Sequence, residues 1–234
     1  MADKIYTDEH GQYLQNNPTW HIEDSPWKAK QILKILTRNS LHPKSIAEIG
    51  CGFGEILNQL YTVLPGDVRF TGYDISSDAI DFAKQKEKDR LEFKKEDLLE
   101  VDIKFDLLLM IDVFEHVDDY LGFLKLCKGK AKHTIFHIPL DISAQGILRN
   151  KLTSMRKSVG HLHYYTKETA LATLMDCGYE IVDHFYTAGA VDLPKKTLKA
   201  KLAFLPRKLL YKMNKDFAAK ILGGYSLLVL AKSN

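Results

Sequence analysis

The sequence predicts a single α/β domain built on a doubly wound, mostly parallel sheet. Strand-like and helix-like segments alternate from about residue 44 to residue 138, the pattern of βαβ units. Phe105–Ile111 is a continuous apolar run, as expected for a strand covered on both faces. A turn with three alternate glycines follows the first strand. The 234 residues are 45% hydrophobic and 27% charged, enough for one sizeable core, so we treat 1–234 as one domain.

The elements follow in order from the N-terminus. A helix is predicted from Pro26, with Ser25 as its N-cap, to about Thr37. A later helix, Lys167–Cys177, should end at Gly178 because glycine tolerates the left-handed conformation after a helix. The remaining helices are predicted at Glu55–Val63, Asp78–Lys88 and Val117–Cys127, and the strands at Lys44–Ile49, Val68–Tyr73, Leu91–Lys94, Phe105–Ile111, Thr134–Ile138, Tyr179–Tyr186 and Ser226–Ala231.

Three stretches lie outside this regular pattern. Residues 1–25 lack periodicity and are expected to form a lid-like segment. Residues 141–160 and 187–222 are longer than ordinary connections, and such insertions often serve as lids or binding elements. The second is basic and helical in pattern, and Pro206 should divide it into two helices. Its apolar residues recur at helical spacing: Leu198, Leu202, Leu205, Leu209, Met213 and Phe217.

The turn after the first strand carries the strongest functional signal. Its pattern is Glu48-x-Gly50-x-Gly52-x-Gly54, and a helix follows directly. Glycines let the backbone approach a ligand closely, and the helix N-terminus would face that ligand. The dinucleotide pattern would require a glycine where Glu55 stands. A tight turn without a ligand is the alternative, although a turn does not need three alternate glycines.

Further segments continue this signal along the chain. They are Tyr73-Asp74-Ile75-Ser76, Glu96-Asp97-Leu98 and the run from Phe105 to Val117, which ends in Asp112-Val113-Phe114-Glu115-His116-Val117. In this order, with the glycine turn, they resemble the cofactor motifs of class I S-adenosylmethionine-dependent methyltransferases. They look like the type 11 and type 23 methyltransferase domains, the group that includes the ubiquinone-biosynthesis O-methyltransferases. The resemblance implies a Rossmann-like sheet of order 3-2-1-4-5-7-6, with strand 7 antiparallel and helices on both faces.

The resemblance also implies a cofactor role for ten residues. The turn, with Cys51 included, would wrap the methionine part of S-adenosylmethionine, and Asp74 would accept the ribose hydroxyls. Ile75 would pack on the adenine, while Asp97 and the Leu98 backbone amide would form hydrogen bonds with the edge of the adenine. Asp112 stands at the mouth of the cleft. Helix capping is the alternative for Asp74 and Asp97. The full set is Glu48, Gly50, Cys51, Gly52, Gly54, Asp74, Ile75, Asp97, Leu98 and Asp112.

Three histidines are candidate catalytic bases. His161 and His163 flank Leu162, so in an extended segment both rings point to one side. His137 ends the fifth strand. An imidazole suits deprotonation of a hydroxyl, but the alternative is that these rings are satisfied by the core or by backbone carbonyls. Two histidines alone are a weak metal signal, so no metal is expected. Glu115 and His116 beside Asp112 are either functional or helix-capping residues.

Composition excludes several classes. Cys51, Cys127 and Cys177 are far apart and odd in number, which indicates neither a disulfide framework nor a zinc site. The N-terminus has no secretory signal, and no apolar run approaches a membrane span, so we expect a cytoplasmic protein.

Charge points to the nature of the partner. Nine basic residues and one acid lie between 195 and 220, which suggests an anionic partner or a solvated helix face. The amphipathic stretch 198–222 could contact a membrane surface, cover the active site, or form a helical cap packed on the sheet, and the cap is the usual case. Nucleic acid is not expected, because no RNA module is recognisable.

The sequence therefore predicts S-adenosylmethionine-dependent methyl transfer, with O-methylation of a small-molecule, sugar or lipid-linked acceptor preferred. The alternatives are an RNA methyltransferase and a non-catalytic protein that keeps the fold for binding or as a scaffold. The acceptor and the oligomeric state stay open.

Overall fold

The computed structural model describes residues 22–194 and 198–233 and contains one seven-stranded sheet of order β3-β2-β1-β4-β5-β7-β6. The strands β1 to β5 pair in parallel, and β7 runs antiparallel to both β5 and β6. The predicted order and the direction of strand 7 are confirmed. The strands are β1 Ser45–Ile49, β2 Arg69–Tyr73, β3 Leu91–Lys94, β4 Phe105–Ile111, β5 Ala131–Pro139, β6 Tyr179–Thr187 and β7 Ser226–Ser233.

Helices surround the sheet, and several short 3-10 turns connect them. The α-helices of the described residues are α1 Ser25–Arg38, α2 Glu55–Val63, α3 Ser77–Lys84, α4 Tyr120–Cys127, α5 Ala144–Leu148, α6 Lys151–Ser158, α7 Lys167–Asp176, α8 Gly189–Asp192, α9 Leu198–Met213 and α10 Lys215–Leu222. The first insertion thus contains α5 and α6, and the second contains α8, α9 and α10. Asp24 rather than the predicted Ser25 occupies the capping position of α1.

Two apolar cores cover the two faces of the sheet. One lies beneath α1, α2 and α3, where Ile32, Leu57 and Ile80 are buried. The other lies beneath α4 and α7, with Leu124 and Leu174 at its centre. Strand β4 contributes to both cores, which is why its sequence is apolar at almost every position.

Pro206 does not divide the second insertion, contrary to the prediction. Helix α9 continues through Pro206, and the division between the two helices lies at Asn214 instead. Asn214 is extended, and its side-chain oxygen accepts from the Phe217 N–H at 2.9 Å, which caps α10. Next to the proline, the Arg207 guanidinium donates to the Leu222 and Gly223 carbonyls, which holds α9 in place there.

The apolar stripe of α9 faces outward. Leu205, Leu209 and Met213 are 72%, 62% and 74% exposed. Instead, Leu210 and Tyr211 pack on a small third core with Tyr225. The hypothesis of a cap whose stripe packs on the sheet is therefore wrong for these positions and for Phe217, which is 51% exposed. The side chains of Leu198 and Leu202 lie outside the described part.

The predicted lid-like segment is only partly described. Residues 1–21 lie outside the described residues, and Ile22–Asp24 forms a 3-10 turn that leads into α1. Within the described ranges, none of the helices combines the length and the apolar character that crossing a membrane requires.

Candidate active site

A cavity of about 630 Å³ opens at the carboxyl ends of the central strands. Its floor is formed by the residues that follow β1, β2 and β4 and by the end of β5. Helix α1 and both insertions supply its walls, through Trp27, Met155 and Gly189 among others, and His161 adds to them directly after the first insertion. This is the position where open α/β sheets bind ligands, because the strand ends and helix N-termini meet there.

The glycine turn forms one side of this cavity. Gly50, Gly52 and Gly54 all have positive φ, at 67°, 52° and 72°. A Cβ at Gly54 would stand 2.4 Å from two carbons of the Phe93 ring, and one at Gly50 would stand 2.9 Å from the Val113 side chain. The turn therefore requires glycine for both its conformation and its packing.

Two buried carboxyl groups lie beside the turn. Asp74 accepts from the Gly52 N–H and the Ser76 N–H, each at 2.9 Å. One carboxyl oxygen of Glu48 is buried without a hydrogen-bond partner among the described residues. Burial raises the pKa of Asp74 and raises that of Glu48 well above its usual value. A ligand with hydroxyl or ammonium donors would satisfy these groups, so they fit the ribose and amino-acid parts of S-adenosylmethionine.

The other predicted cofactor residues divide into two groups. Cys51 is buried and lines the cavity, and Ile75 lines it while 44% exposed, as a residue that packs against a ligand should be. Asp97 instead accepts from the Leu99 N–H at 2.9 Å and caps the short 3-10 turn Leu98–Glu100. Neither Asp97 nor Leu98 lines the cavity, so their adenine role stays a prediction.

Asp112 joins a partly buried polar chain at the cavity floor. It has a φ of 56°, which is uncommon outside glycine and places its side chain between two partners. The ammonium of Lys28 lies 2.7 Å from one oxygen, and Nδ1 of His137 lies 2.6 Å from the other. Burial alone would raise the pKa of Asp112, but these two neighbours lower it below the usual range. Burial opposes the charge on Lys28, yet Asp112 raises its pKa.

Two of the three predicted bases have one or both ring nitrogens engaged elsewhere. His137 lines the cavity, but its Nδ1 is bonded to Asp112 and its Nε2 to the Thr187 hydroxyl at 2.9 Å. His163 does not line the cavity, and its Nε2 donates to the Val117 carbonyl at 2.9 Å. His163 thus has the backbone-satisfied arrangement that was the alternative interpretation.

His161 is arranged differently from its two counterparts. It is buried, it lines the cavity, and its Nδ1 lies 2.6 Å from Asp141 Oδ2. A carboxylate on Nδ1 fixes the proton there, which leaves the Nε2 lone pair as the reactive one. Its ring lies edge-on to the ring of His116, with centroids 4.9 Å apart. His161 and His163, which were predicted to point to one side, therefore have different surroundings.

Glu115 and His116 complete this corner of the cavity. Glu115 is fully buried, and neither carboxyl oxygen has a hydrogen-bond partner among the described residues. Burial first, and then the charge on Asp112, raises its pKa well above the usual value. His116 lines the cavity, and burial together with His161 lowers its pKa to about 4, so it is neutral at pH 7.

Sequence reasoning missed several of these partners. Lys28 and Trp27 lie in an ordinary amphipathic helix, so nothing in the local sequence marks them. Asp141 does not lie within any recognisable sequence motif. Glu115 and His116 were recognisable only as polar residues at a strand's carboxyl end, a position where functional residues gather.

Comparison with known proteins agrees with this geometry. Residues 47–133 match a family described as a methyltransferase domain. No curated protein sequence matches the chain.

Many solved structures share the fold, although at low identity. Magnesium protoporphyrin IX methyltransferase of Synechocystis PCC 6803, with bound SAH, is 17% identical, with a TM-score of 0.61 over 99% of this chain and 92% of that one. The N-methyltransferase NodS of Bradyrhizobium japonicum WM9, in complex with S-adenosyl-L-homocysteine, is 18% identical, with a TM-score of 0.58 over 99% and 96%. The plantazolicin methyltransferase BpumL, in complex with SAH, is 16% identical, with a TM-score of 0.63 over 100% and 94%.

Their likeness shows the fold, and the predicted resemblance to ubiquinone-biosynthesis enzymes in particular stays a prediction. The match of residues 47–133 to a methyltransferase domain, the strand order and the glycine turn beside Glu48 and Asp74 all agree with the fold of the class I S-adenosylmethionine-dependent methyltransferases.

Proposed function

We propose that this methyltransferase acts on a hydroxyl oxygen of a small or lipid-linked acceptor that binds at the His161 side of the cavity. The observation that carries the proposal is the buried Asp141–His161 pair, whose Nδ1–Oδ2 distance is 2.6 Å. A hydroxyl is a weak nucleophile until its proton is removed or its acidity raised, whereas a carboxylate acceptor needs no such help. An oriented imidazole at the cavity wall is the arrangement that a hydroxyl acceptor needs.

The remaining residues hold the donor side of the cavity. When bound, S-adenosylmethionine supplies a methyl group on a sulfonium, which needs little activation. Asp74 would accept the ribose hydroxyls, Glu48 and the glycine turn would fix the amino-acid part, and Ile75 would pack on the adenine. In the transfer the oxygen–methyl bond forms as the sulfur–methyl bond breaks, the bonding pair stays on sulfur, and the hydroxyl proton leaves on the His161 side. Positioning of the two reactants supplies much of the rate.

The second insertion supports a lipid-linked acceptor. Leu205, Leu209 and Met213 form an exposed apolar stripe on α9, and the exposed Lys201 and Lys208 lie on the same helix. This combination suits the interface of an anionic lipid surface, where apolar side chains insert and lysines meet headgroups. Gly189 and Leu193, at the start of the same insertion, line the cavity. An acceptor carried in a membrane would therefore meet the cavity from this side.

The proposal is tested by screening acceptors for methyl transfer. The purified protein is incubated with isotopically labelled S-adenosylmethionine and with matched hydroxyl and amine forms of sugars and lipid-linked sugars, and labelled product is counted. We expect transfer to hydroxyl forms, reduced about 100-fold or more in kcat by His161→Asn, since general base groups contribute roughly 100- to 10,000-fold.

His163→Asn is the matched control, because this ring lies two residues away but outside the cavity. It should keep nearly full activity. Transfer confined to amine forms or to RNA would contradict the proposal. Tight cofactor binding without transfer to any acceptor would favour the scaffold alternative.

A further inference from the structure

We propose that Glu115, His116 and His161 bind a divalent metal ion at the wall of the cavity. Each residue offers one ligand atom, and the three atoms lie within 4.8 Å of one another. One carboxylate and two imidazoles form a ligand set that suits Zn²⁺ and similar divalent ions. Metal–ligand distances are about 2.0–2.2 Å in such sites, so binding would draw the three side chains slightly inward.

Both imidazoles are already held in the tautomer that a metal ligand needs. Nδ1 of His161 lies 2.6 Å from the Asp141 carboxylate, and Nδ1 of His116 lies 3.1 Å from the Gly160 carbonyl. Because both partners are acceptors, each Nδ1 carries the proton, and each Nε2 carries the lone pair. Metal-binding histidines are typically oriented in this way by a carboxylate or a carbonyl on the other nitrogen.

Glu115 supplies the observation that this cluster needs a ligand. It is 0% exposed, and both of its carboxyl oxygens lack hydrogen-bond partners among the described residues. A buried carboxyl group without partners is costly to fold, because it has lost its hydration and gained nothing in return. Its Oε1 lies 3.9 Å from Nε2 of His116. A cation between them would provide the missing partner.

The backbone holds the two halves of the cluster together. The Glu115 carbonyl accepts from the Leu162 and His163 N–H groups at 2.8 and 3.1 Å. With the bond from His116 to Gly160, three hydrogen bonds join segments that are 44 or more residues apart in sequence. The ligands are therefore positioned by the fold rather than by the ion.

The charges around the cluster favour a cation. The Asp141 and Asp112 carboxylates face it from the first insertion and the end of β4, and the Lys28 ammonium of α1, which is paired with Asp112, opposes them. Three protein ligands leave a position open, as in catalytic zinc sites. The role of that position rests on the proposed function. In the metal-bound protein the ion, held in part by Nε2 of His161, would take over the role that the proposed function gives to the free imidazole: it would receive the acceptor hydroxyl, raise its acidity and release its proton to water.

The test measures metal binding without reference to activity. Tag-free protein is stripped with a chelator, dialysed, and titrated with Zn²⁺ by calorimetry, and with Co²⁺ by visible absorption. We expect one Zn²⁺ per chain and Co²⁺ d–d bands without thiolate charge-transfer bands, because no cysteine belongs to the ligand set among the described residues. Glu115→Gln and His161→Gln should each lower the affinity at least tenfold.

His163→Gln is the matched control and should bind as the unaltered protein does. Equal binding by Glu115→Gln and the unaltered protein would overturn the proposal, as would the absence of stoichiometric binding of Zn²⁺ and Co²⁺. Thermal unfolding of the variants confirms that they fold. The proposed function fails separately: a protein that binds Zn²⁺ through Glu115 but methylates no hydroxyl acceptor would refute the function and leave the metal site intact.

Discussion

Gly54→Ala should destabilise the protein by about 2–5 kcal/mol. The residue has a φ of 72°, and a non-glycine residue in that region costs about 1–2 kcal/mol. The new Cβ would stand 2.4 Å from Phe93 ring carbons, and such overpacking costs about 1–3 kcal/mol. In a chain of this length, each kcal/mol lowers the melting temperature by about 2–4 °C, so we expect a decrease of roughly 4–20 °C.

Thermal unfolding followed by circular dichroism measures this effect, and Gly66→Ala is the matched control. Nothing lies within 4 Å of a Cβ built at Gly66, so its substitution should change stability by no more than about 1 kcal/mol. In a Phe93→Ala background the additional cost of Gly54→Ala should decrease to about 1–2 kcal/mol, the conformational part alone. If Gly54→Ala and Gly66→Ala melt at the same temperature, the packing argument for the turn is refuted.

Three further results are expected. Asp74→Asn should weaken S-adenosylmethionine binding at least tenfold in calorimetry, because hydrogen bonds to a charged group contribute about 1.5–3 kcal/mol each, and unchanged affinity would remove Asp74 from the ribose site. In the folded protein, Lys132 and backbone N–H groups lower the pKa of Asp106 to about 2. The contribution of Asp106 to folding stability is therefore present above its unfolded pKa and is lost as pH falls from about 4 to about 2. The loss of stability caused by Asp106→Asn in urea unfolding should therefore be smaller at pH 3 than at pH 7. Leu205→Ser should reduce sedimentation with vesicles that contain anionic lipid, whereas Leu126→Ser, at a residue 63% exposed on another helix, should not.

The sheet was predictable because its signals are local. The run Phe105–Ile111 is apolar at nearly every position because β4 is buried on both faces, and the glycine turn follows β1 directly. The second insertion was less predictable. A proline usually ends a helix, but Pro206 lies within α9, where Arg207 holds the helix to the Leu222 and Gly223 carbonyls, contacts that the local sequence does not reveal.

Many residues of the candidate site were predictable from the sequence, but most of the contacts among them were not. Glu48 and Asp74 stand within motifs whose spacing alone places them at strand ends. The Glu115–His116–His161 cluster depends on a contact between segments 45 residues apart, so no window of sequence contains it. The same holds for Lys28, which reaches Asp112 from α1, an element far from it in the sequence. The surroundings of the histidines were likewise not predictable: His161 and His163 are two residues apart, and of these two only His161 lines the cavity.

The packing of α1 against the second insertion has a consequence for how ligands reach the cavity. The Trp27 indole N–H donates to Asp192 at 3.2 Å, and its ring stands edge-on to His137, whose Nε2 is bonded to Thr187 where that insertion begins. These contacts tie the two walls of the cavity to one another. Widening the opening between them therefore breaks the indole bond and disturbs the polar chain through Asp112 at the same time. A bulky ligand that entered on this side would therefore also disturb the surroundings of the Asp112 carboxylate at the cavity floor.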